Sequence, residues 1–329
     1  MNITIIGDGG WGTSVGLLLH SYGHAVTLWG AFPDYIAEVR DRRENTRFLP
    51  GIPLPDTLRW TADPAEAVAG AEAVVLASPS KFYADVCKRF VGLIPQDALV
   101  VSLTKGLCED THCRMSELAG SILGRDDIVV LSGPSHAEEV ARQIPTAVVA
   151  AAKDEAVAQR VQRLFSGPTF RVYTSTDPLG VEIGGAVKNV IAIAVGASDG
   201  LGFGDNTRAA LITRGSSEIT RFGTALGARP ETFSGLSGIG DLIVTCTSRH
   251  SRNHSVGERL GRGESIGAIL GSMKMVAEGV WNAKVIHTIG QARGVEMPIT
   301  RLVYALCYED FPARTAVEML MTRDMKPEA

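Results

Sequence analysis

The residue type with the most chemical promise is a lysine inside an apolar stretch, Lys188 in GVEIGGAVKNVIAIAVGAS. The stretch is apolar nearly all round, and a helix of that kind is buried. A buried lysine is costly unless it is paired or used. Gly184 and Gly185 precede it on the same helical face. Helical side chains lean toward the N-terminus, so the Lys188 stem runs over two residues without side chains. That leaves room for a small substrate beside the ammonium. Desolvation lowers a lysine pKa toward the range that suits proton transfer near neutral pH. The plainer reading is a lysine that snorkels from the helix rim. Asn189 points elsewhere on the helix but can serve the edge of the same pocket.

Further groups stand on either side of this lysine in the chain. In SGLSGIGDLIVTCTSRHSRNHSVGERL, Asp241 follows a glycine-rich turn and begins an apolar helical run. It is either an N-cap or a partner that holds Lys188. Ser251, Arg252 and Asn253 precede a helical pattern over His254–Leu260. A hydroxyl, a guanidinium and an amide beside a helix start suit a phosphate, with Arg252 adding a bidentate grip. A capped helix with a surface arginine is the alternative. Upstream, SLTKGL places Lys105 at the end of the fourth strand, and LSGPSHAEEV places Gly133, Pro134 and Ser135 at the end of the fifth.

Near the N-terminus, ITIIGDGGWGTSVG sets Gly7, Gly9 and Gly12 in a G-x-G-x-x-G array after a β-branched run. Such an array lets a backbone approach a dinucleotide pyrophosphate at a helix N-terminus. A tight strand-to-helix turn without a ligand has the same pattern. Trp11 either covers the cofactor or packs in the core. The next strand should end in the side chain that reads the adenine ribose, an acid for NAD or a nearby arginine for NADP. VTLWGAFPD offers neither at Gly30, Ala31 or Phe32; Asp34 comes late, and Arg40, Arg42 and Arg43 lie along the following helix. The cofactor choice, NAD or NADP, stays open on this reading.

The elements that must position these residues fall into two styles. β-Branched runs at Ile3–Ile6, Ala25–Leu28, Ala73–Ala77, Leu99–Leu103, Ile128–Leu131 and Ala147–Ala151 alternate with helical patterns at Trp11–Ser21, Pro33–Arg43, Ser80–Val91 and Thr111–Leu123. The alternation predicts a doubly wound parallel sheet with right-handed crossovers, and the unbroken apolar strands predict cover on both faces. Ligands on such sheets lie beyond the strands' carboxyl ends. After FRVYTSTDPLG only helical patterns follow. Asp177 reads as an N-cap with Pro178 at the first helical position. The predicted class is therefore α/β plus all-α: a dinucleotide-binding domain over 1–177 and a helical substrate domain over 178–329. The charged tail MTRDMKPEA is expected to fray.

A chain of 329 residues suits roughly two domains at about 150 each. Its net charge of −4 argues against a general nucleic-acid binder. No apolar run free of polar groups reaches the ~18 residues of a spanning helix, and the N-terminus has no signal-peptide pattern. Cys87, Cys108, Cys113, Cys246 and Cys307 are an odd, scattered set, which suits reduced thiols in the cytoplasm. The CEDTHC spacing matches no common zinc knuckle, so no metal is expected; its polar residues read as the surroundings of a helix start.

Taken together, GDGGWGT, TKGL, SGPSHAEEV, FRVYT, GVEIGGAVKNVIAIAVGASDGLGFGDN, ALITRG, GDLIVTCTSRHSRN and EGV make the chain resemble the bacterial NAD(P)-dependent glycerol-3-phosphate dehydrogenases almost end to end. The resemblance implies a Rossmann domain followed by a helical domain, commonly dimeric. It implies reversible conversion of dihydroxyacetone phosphate and sn-glycerol 3-phosphate, which supplies phospholipid synthesis. By the same resemblance Lys188 matches the proton acceptor, and Lys105 touches both cofactor and substrate. Gly133, Ser135, Asp241, Ser251, Arg252 and Asn253 match substrate contacts. Gly7, Gly9, Gly10, Trp11, Gly12, Ala137, Arg252, Val276 and Glu278 match cofactor contacts. There are departures: Gly10 replaces the usual serine, Ala277 replaces a valine, and GAFPD lacks the His or Arg that suits a 2′-phosphate. Two other readings share the architecture: a β-hydroxyacid dehydrogenase that grips a carboxylate, and a non-catalytic dinucleotide sensor. Lys188 with Asp241 and the SRN set argues against the sensor.

Overall fold

The computed structural model describes residues 1–322 and 325; Arg323, Asp324 and 326–329, on which the expectation of a frayed tail mostly falls, lie outside the described residues. From the N-terminus the chain forms β1 (Asn2–Ile6), α1 (Gly10–Ser21), β2 (Ala25–Trp29), α2 (Pro33–Arg42), β3 (Arg59–Thr61), α3 (Pro64–Val68), β4 (Ala73–Leu76) and α4 (Ser80–Lys88). It continues with β5 (Leu99–Ser102), α5 (Met115–Leu123), β6 (Val129–Ser132), α6 (Ala137–Ala141), β7 (Thr146–Ala151), α7 (Glu155–Phe165) and β8 (Phe170–Ser175). Helices then follow: α8 (Pro178–Gly200), α9 (Asp205–Ala225), α10 (Asp241–Thr247), α11 (Arg252–Gly261), α12 (Ile266–Ser272), α13 (Glu278–Ala292), α14 (Pro298–Tyr308) and α15 (Ala313–Met321).

The strands form one eight-stranded sheet in the order β3-β2-β1-β4-β5-β6-β7-β8. β4, β5 and β6 are buried at every position, the pattern of strands covered on both faces. The order reverses between β1 and β4, which opens a crevice beyond their carboxyl ends. The fold class is as expected, with two corrections. The sheet is mixed, because β7 runs antiparallel to β6, with β8 parallel to β7. β3 and β8 were absent from the sequence reading. β3 is only three residues, and β8 alternates, with Phe170 and Val172 buried and Arg171 and Tyr173 exposed, so neither forms an apolar run. The fourth and fifth strands of that reading are thus β5 and β6. The helical pattern at Thr111–Leu123 is shortened: CEDTHC forms a tight hairpin, with Cys108 N–H bonded to the Cys113 carbonyl and His112 at φ 58°, and α5 starts at Met115 just after it.

The 23-residue α8 is the axis of the helical part. Asp177 caps it, its carboxylate accepting from Gly180 N–H at 3.0 Å. The same side chain accepts from Arg229 N–H and the Thr232 hydroxyl, so the cap also fastens the loop after α9. By length and composition α8 could cross a membrane, but 94% of its most apolar stretch is buried within this protein. Its three charged residues are all paired, Asp199 near the C-terminal end with Arg208 and His254. Glu182 accepts from Arg114 at 2.6 Å and from Ser116, tying α8 to α5 of the sheet part. Lys188 is treated below.

α11 crosses α8 at backbone contact distance. A Cβ on Gly196 would stand 2.0 Å from the His254 carbonyl oxygen, and one on Gly257 2.0 Å from that of Ile193. Gly200 and Gly261, one turn on, are as closely met by Glu258 and Ala197. Small residues let two helices approach where larger ones would hold them apart. This crossing brings the SRN segment at the start of α11 to the side of α8. Gly257→Ala is expected to push the helices apart and cost about 3 kcal/mol or more, the upper range for overpacking. Thermal and denaturant melts of the variant measure it.

Candidate active site

Lys188 sits at 5% exposure in the middle of α8. Its Nζ donates to Asp241 Oδ1 at 2.6 Å and to the Thr245 hydroxyl at 2.6 Å. Asp241 opens α10, directly after a π-helical turn at Leu236–Gly240. Thr245, one turn along α10, passes its own proton to the Asp241 carbonyl. Lys105 arrives from the loop after β5 and donates to Asp241 Oδ2 at 2.7 Å and to the Gly133 carbonyl at 2.8 Å. Ser135 donates to the same carbonyl at 2.9 Å. One carboxylate thus holds two ammoniums, one from each half of the chain. An ammonium has three donors, and partners among the described residues take two on each lysine, which leaves each one donor over.

The electrostatics follow from this geometry. Burial pulls the Lys188 pKa down to about 8, although Asp241 pushes the other way. Burial raises the Asp241 pKa, but Lys105 and Lys188 together outweigh it, and the carboxyl lies below its ordinary range. Asp241 is therefore the partner of Lys188 as well as the first residue of a helix. One expectation is overturned. Gly184 and Gly185 do not make space for a substrate. A Cβ on Gly184 would meet the Ser237 carbonyl at 2.5 Å, and one on Gly185 the Ser132 hydroxyl at 2.9 Å and the Lys105 stem at 3.5 Å. The bare face of α8 admits protein, and that close approach brings Lys105 and the turn before Asp241 to Lys188.

The SRN segment lies against the other flank of α8. Asn253 is buried, donates to Asn189 Oδ1 at 2.9 Å and accepts from Gly279 N–H at 2.9 Å. Asn189 in turn donates to the Gly185 carbonyl. Ser251 is the N-cap of α11, accepting from His254 N–H at 3.2 Å. Arg252 is exposed and donates to the Val276 carbonyl at 2.6 Å. Glu278, at the start of α13, accepts from Ser80 N–H at 2.9 Å and from the Ser80 hydroxyl. Burial raises its pKa. The contact joins α13 to the N-terminus of α4 beside the β4 tip.

The glycine loop has the shape of a dinucleotide cradle in part only. A Cβ on Gly12 would stand 2.2 Å from the Gly7 carbonyl oxygen, and one on Gly7 2.8 Å from the Ala77 carbonyl carbon. Protein packing demands both. Gly9 has nothing within 4 Å of its Cβ position among the described residues. Its bareness leaves backbone open at the start of α1, as approach to a pyrophosphate requires. Gly10 is different again: a Cβ there would lie 2.5 Å from the Phe48 carbonyl oxygen, so the segment after α2 packs on its bare backbone. Ala137 closes the loop's far side, its carbonyl accepting from the Ser14 hydroxyl at 2.8 Å. The Trp11 body packs on the sheet core, while its Nε1 is buried without a partner among the described residues.

Sequence reasoning missed Thr245 and His136. Thr245 was legible in principle, since it lies one helical turn after Asp241. His136, in the loop after β6, has a buried Nε2 with no partner among the described residues. Burial and the nearby Lys188 hold its pKa below the ordinary histidine value. No spacing in the sequence marks it as a neighbour of a residue so far along the chain.

Comparison with known proteins now bears on this geometry. Residues 2–158 match the profile of the NAD-dependent glycerol-3-phosphate dehydrogenase N-terminus, and residues 177–318 that of the C-terminus. The glycerol-3-phosphate dehydrogenase [NAD(P)+] of Geobacter sp. (strain M21) is 50% identical over 99% of this chain and 98% of its own. That of Citrifermentans bemidjiense is 51% identical over the same shares. The chain belongs to the glycerol-3-phosphate dehydrogenase family. A crystal structure of the family's enzyme from Coxiella burnetii superposes with a TM-score of 0.94 at 37% identity, covering 98% of this chain and 99% of that one. As a member of the family this protein is an NAD(P)-dependent oxidoreductase acting on glycerol 3-phosphate.

Removing the shared anion should expose its role in this dehydrogenase. Asp241→Asn is expected to destabilise the protein by about 3–5 kcal/mol, the cost of breaking a buried pair. Loss of the attracting charge should also lower the Lys188 pKa by about one unit or more. Denaturant melts read the first effect; the pH at which the oxidation rate levels off reads the second.

Proposed function

We propose that the Lys188–Asp241–Lys105 cluster performs the reversible conversion of dihydroxyacetone phosphate and sn-glycerol 3-phosphate. The observation that carries this reading is Lys188: a buried ammonium with one unclaimed donor, its pKa near 8, fixed by Asp241 and Thr245. In the reductive direction protonated Lys188 polarises the C2 ketone and delivers its proton to the C2 oxygen. In the oxidative direction neutral Lys188 takes the C2 hydroxyl proton. Asp241 orients the ammonium and offsets its charge. Lys105 lends a second positive charge to the developing oxyanion, the form of stabilisation that outweighs most others in such sites. The nicotinamide ring, when bound, gives or accepts the hydride at C2.

Arg252 is the proposed grip on the substrate phosphate, with Asn253 and Ser251 fixing the start of α11 beneath it. Binding energy from that remote group positions the reacting carbon. Gly133 and Ser135 border the substrate beside Lys105. The glycine loop, Ala137, Val276 and Glu278 border the cofactor. In this reading residues 1–177 hold the dinucleotide and 178–329 supply the acid–base lysine, and the enzyme works as a cytoplasmic homodimer. The five free cysteines, three of them buried, are in keeping with a reducing compartment.

Lys188→Met is expected to lower kcat by about 100-fold or more, the scale of a lost general acid, while dinucleotide binding persists. Steady-state rates and fluorescence titration separate the two. In the parent enzyme log kcat/KM for oxidation should rise with pH up to about 8 and then level, because neutral Lys188 is required; for reduction it should fall above about 8. Near-normal turnover of the methionine variant contradicts the assignment. Arg252→Ala is expected to raise KM for dihydroxyacetone phosphate with little effect on turnover of unphosphorylated dihydroxyacetone. An equal loss on both substrates would place Arg252 outside the phosphate grip.

A further inference from the structure

The gap at the end of β2 is filled from the loop after β1. β2 ends at Trp29, and Gly30 carries no side chain with which to read a ribose. A Cβ built on Gly30 would stand 2.7 Å from Asp8 Oδ2 and 2.8 Å from Asp8 Cγ, with Ile36 Cδ1 at 2.4 Å on its other side. The Asp8 carboxylate, from the glycine loop after β1, therefore occupies the space where the terminal side chain of β2 would begin. Its placement is fixed. The Asp8 carbonyl accepts from Asn45 at 2.7 Å and from the Thr13 hydroxyl at 3.3 Å. The neighbouring Gly7 N–H bonds to the Trp29 carbonyl at 2.9 Å, which locks the loop to the β2 tip. Oδ2 is buried and has no hydrogen-bond partner among the described residues.

Among the cations around this tip, Arg47 bears on the Asp8 carboxylate, its charge opposing the rise in carboxyl pKa that burial causes. Arg42 and Arg47 reach Glu38 at 3.4 Å and 3.5 Å, and Arg43 reaches Asp56 at 3.1 Å. Arg47 also lies 4.0 Å over the Tyr35 ring. The position that β2 usually gives to an acid for the ribose 2′-hydroxyl, or to an arginine for a 2′-phosphate, is thus held here by a carboxylate.

We propose that Asp8 is the cofactor-specificity residue of this enzyme: its carboxylate accepts from the adenine ribose of NAD(H) and repels the 2′-phosphate of NADP(H). This rests on the reading of the glycine loop as the dinucleotide site, and it adds the preference that β2 leaves unstated. A like charge beside the ribose disfavours a 2′-phosphate, while a ribose hydroxyl gains an ionised acceptor.

The test is direct binding, without turnover. Full-length enzyme is titrated with NADH and with NADPH at low ionic strength, and nicotinamide fluorescence gives each Kd. The parent is expected to bind NADH at least tenfold more tightly than NADPH. Asp8→Asn, which removes the charge and keeps the shape, is expected to bring the two within about threefold, mainly by tightening NADPH. Asp8→Ser serves as a second variant should the amide disturb folding, with the thermal midpoint as control. Equal or tighter binding of NADPH by the parent overturns the proposal, as does a ratio that neither variant moves. Binding of neither dinucleotide would overturn the glycine-loop reading itself, and with it the proposal.

Discussion

The site depends on one buried carboxylate. Asp241 is 1% exposed and touches two ammoniums at 2.6 Å and 2.7 Å. A unit charge pair at such distances is worth about 4 kcal/mol or more at an effective dielectric near 20, yet each buried charge also forfeits several kcal/mol of hydration. That cost is offset in part because both carboxylate oxygens accept from ammonium groups and the Thr245 hydroxyl accepts a further hydrogen bond from Lys188. One carboxylate against two ammoniums leaves an excess of positive charge. An anionic substrate or a developing oxyanion would complete it, as the proposed reaction requires.

The same interaction joins the two halves of the chain. Lys105 comes from the sheet and Lys188 from α8, and Asp241 is the point where they meet. Two other polar contacts hold the halves in register around it: Arg114 and Ser116 on Glu182, and Ser80 on Glu278. Each buries an acid whose pKa is raised by burial. The remaining rigidity is steric. Glycines on α8 and α11 bring backbone to backbone, so the SRN segment stands on two helices that cannot slide apart without losing dense contact. Lys188 on α8 and the SRN segment on α11 are thereby held on rigid elements, which is what the proposed acid–base step requires.

The cofactor end follows a different logic. Gly7 and Gly12 answer to protein neighbours, whereas Gly9 has nothing within 4 Å of its Cβ position among the described residues. The three letters of the array are identical, and only their surroundings separate the two that packing requires from the one it leaves open. The β2 tip extends the point. Read along the chain it lacks an acid, yet in space it has one, because the loop after β1 folds Asp8 over Gly30.

Much of this protein was legible in one dimension. Unbroken apolar strands and a glycine array at the first turn imply a covered nucleotide-binding sheet, since hydrophobic periodicity is a local property. Lys188 was visible because a charge inside an apolar helix violates a local rule. β3 and β8 escaped for the opposite reason: one is short, the other half-exposed, and their pairing is made by neighbours rather than by their own composition. What the sequence by itself determined is which groups are costly to bury and which backbone positions are bare. Tertiary structure alone decided who meets them: Asp241 and Thr245 at Lys188, Lys105 across from both, protein instead of substrate against Gly184 and Gly185, and Asp8 in place of a β2 acid. Pairing energies depend on distance in space, and distance in space between residues this far apart in the chain is not encoded in their spacing.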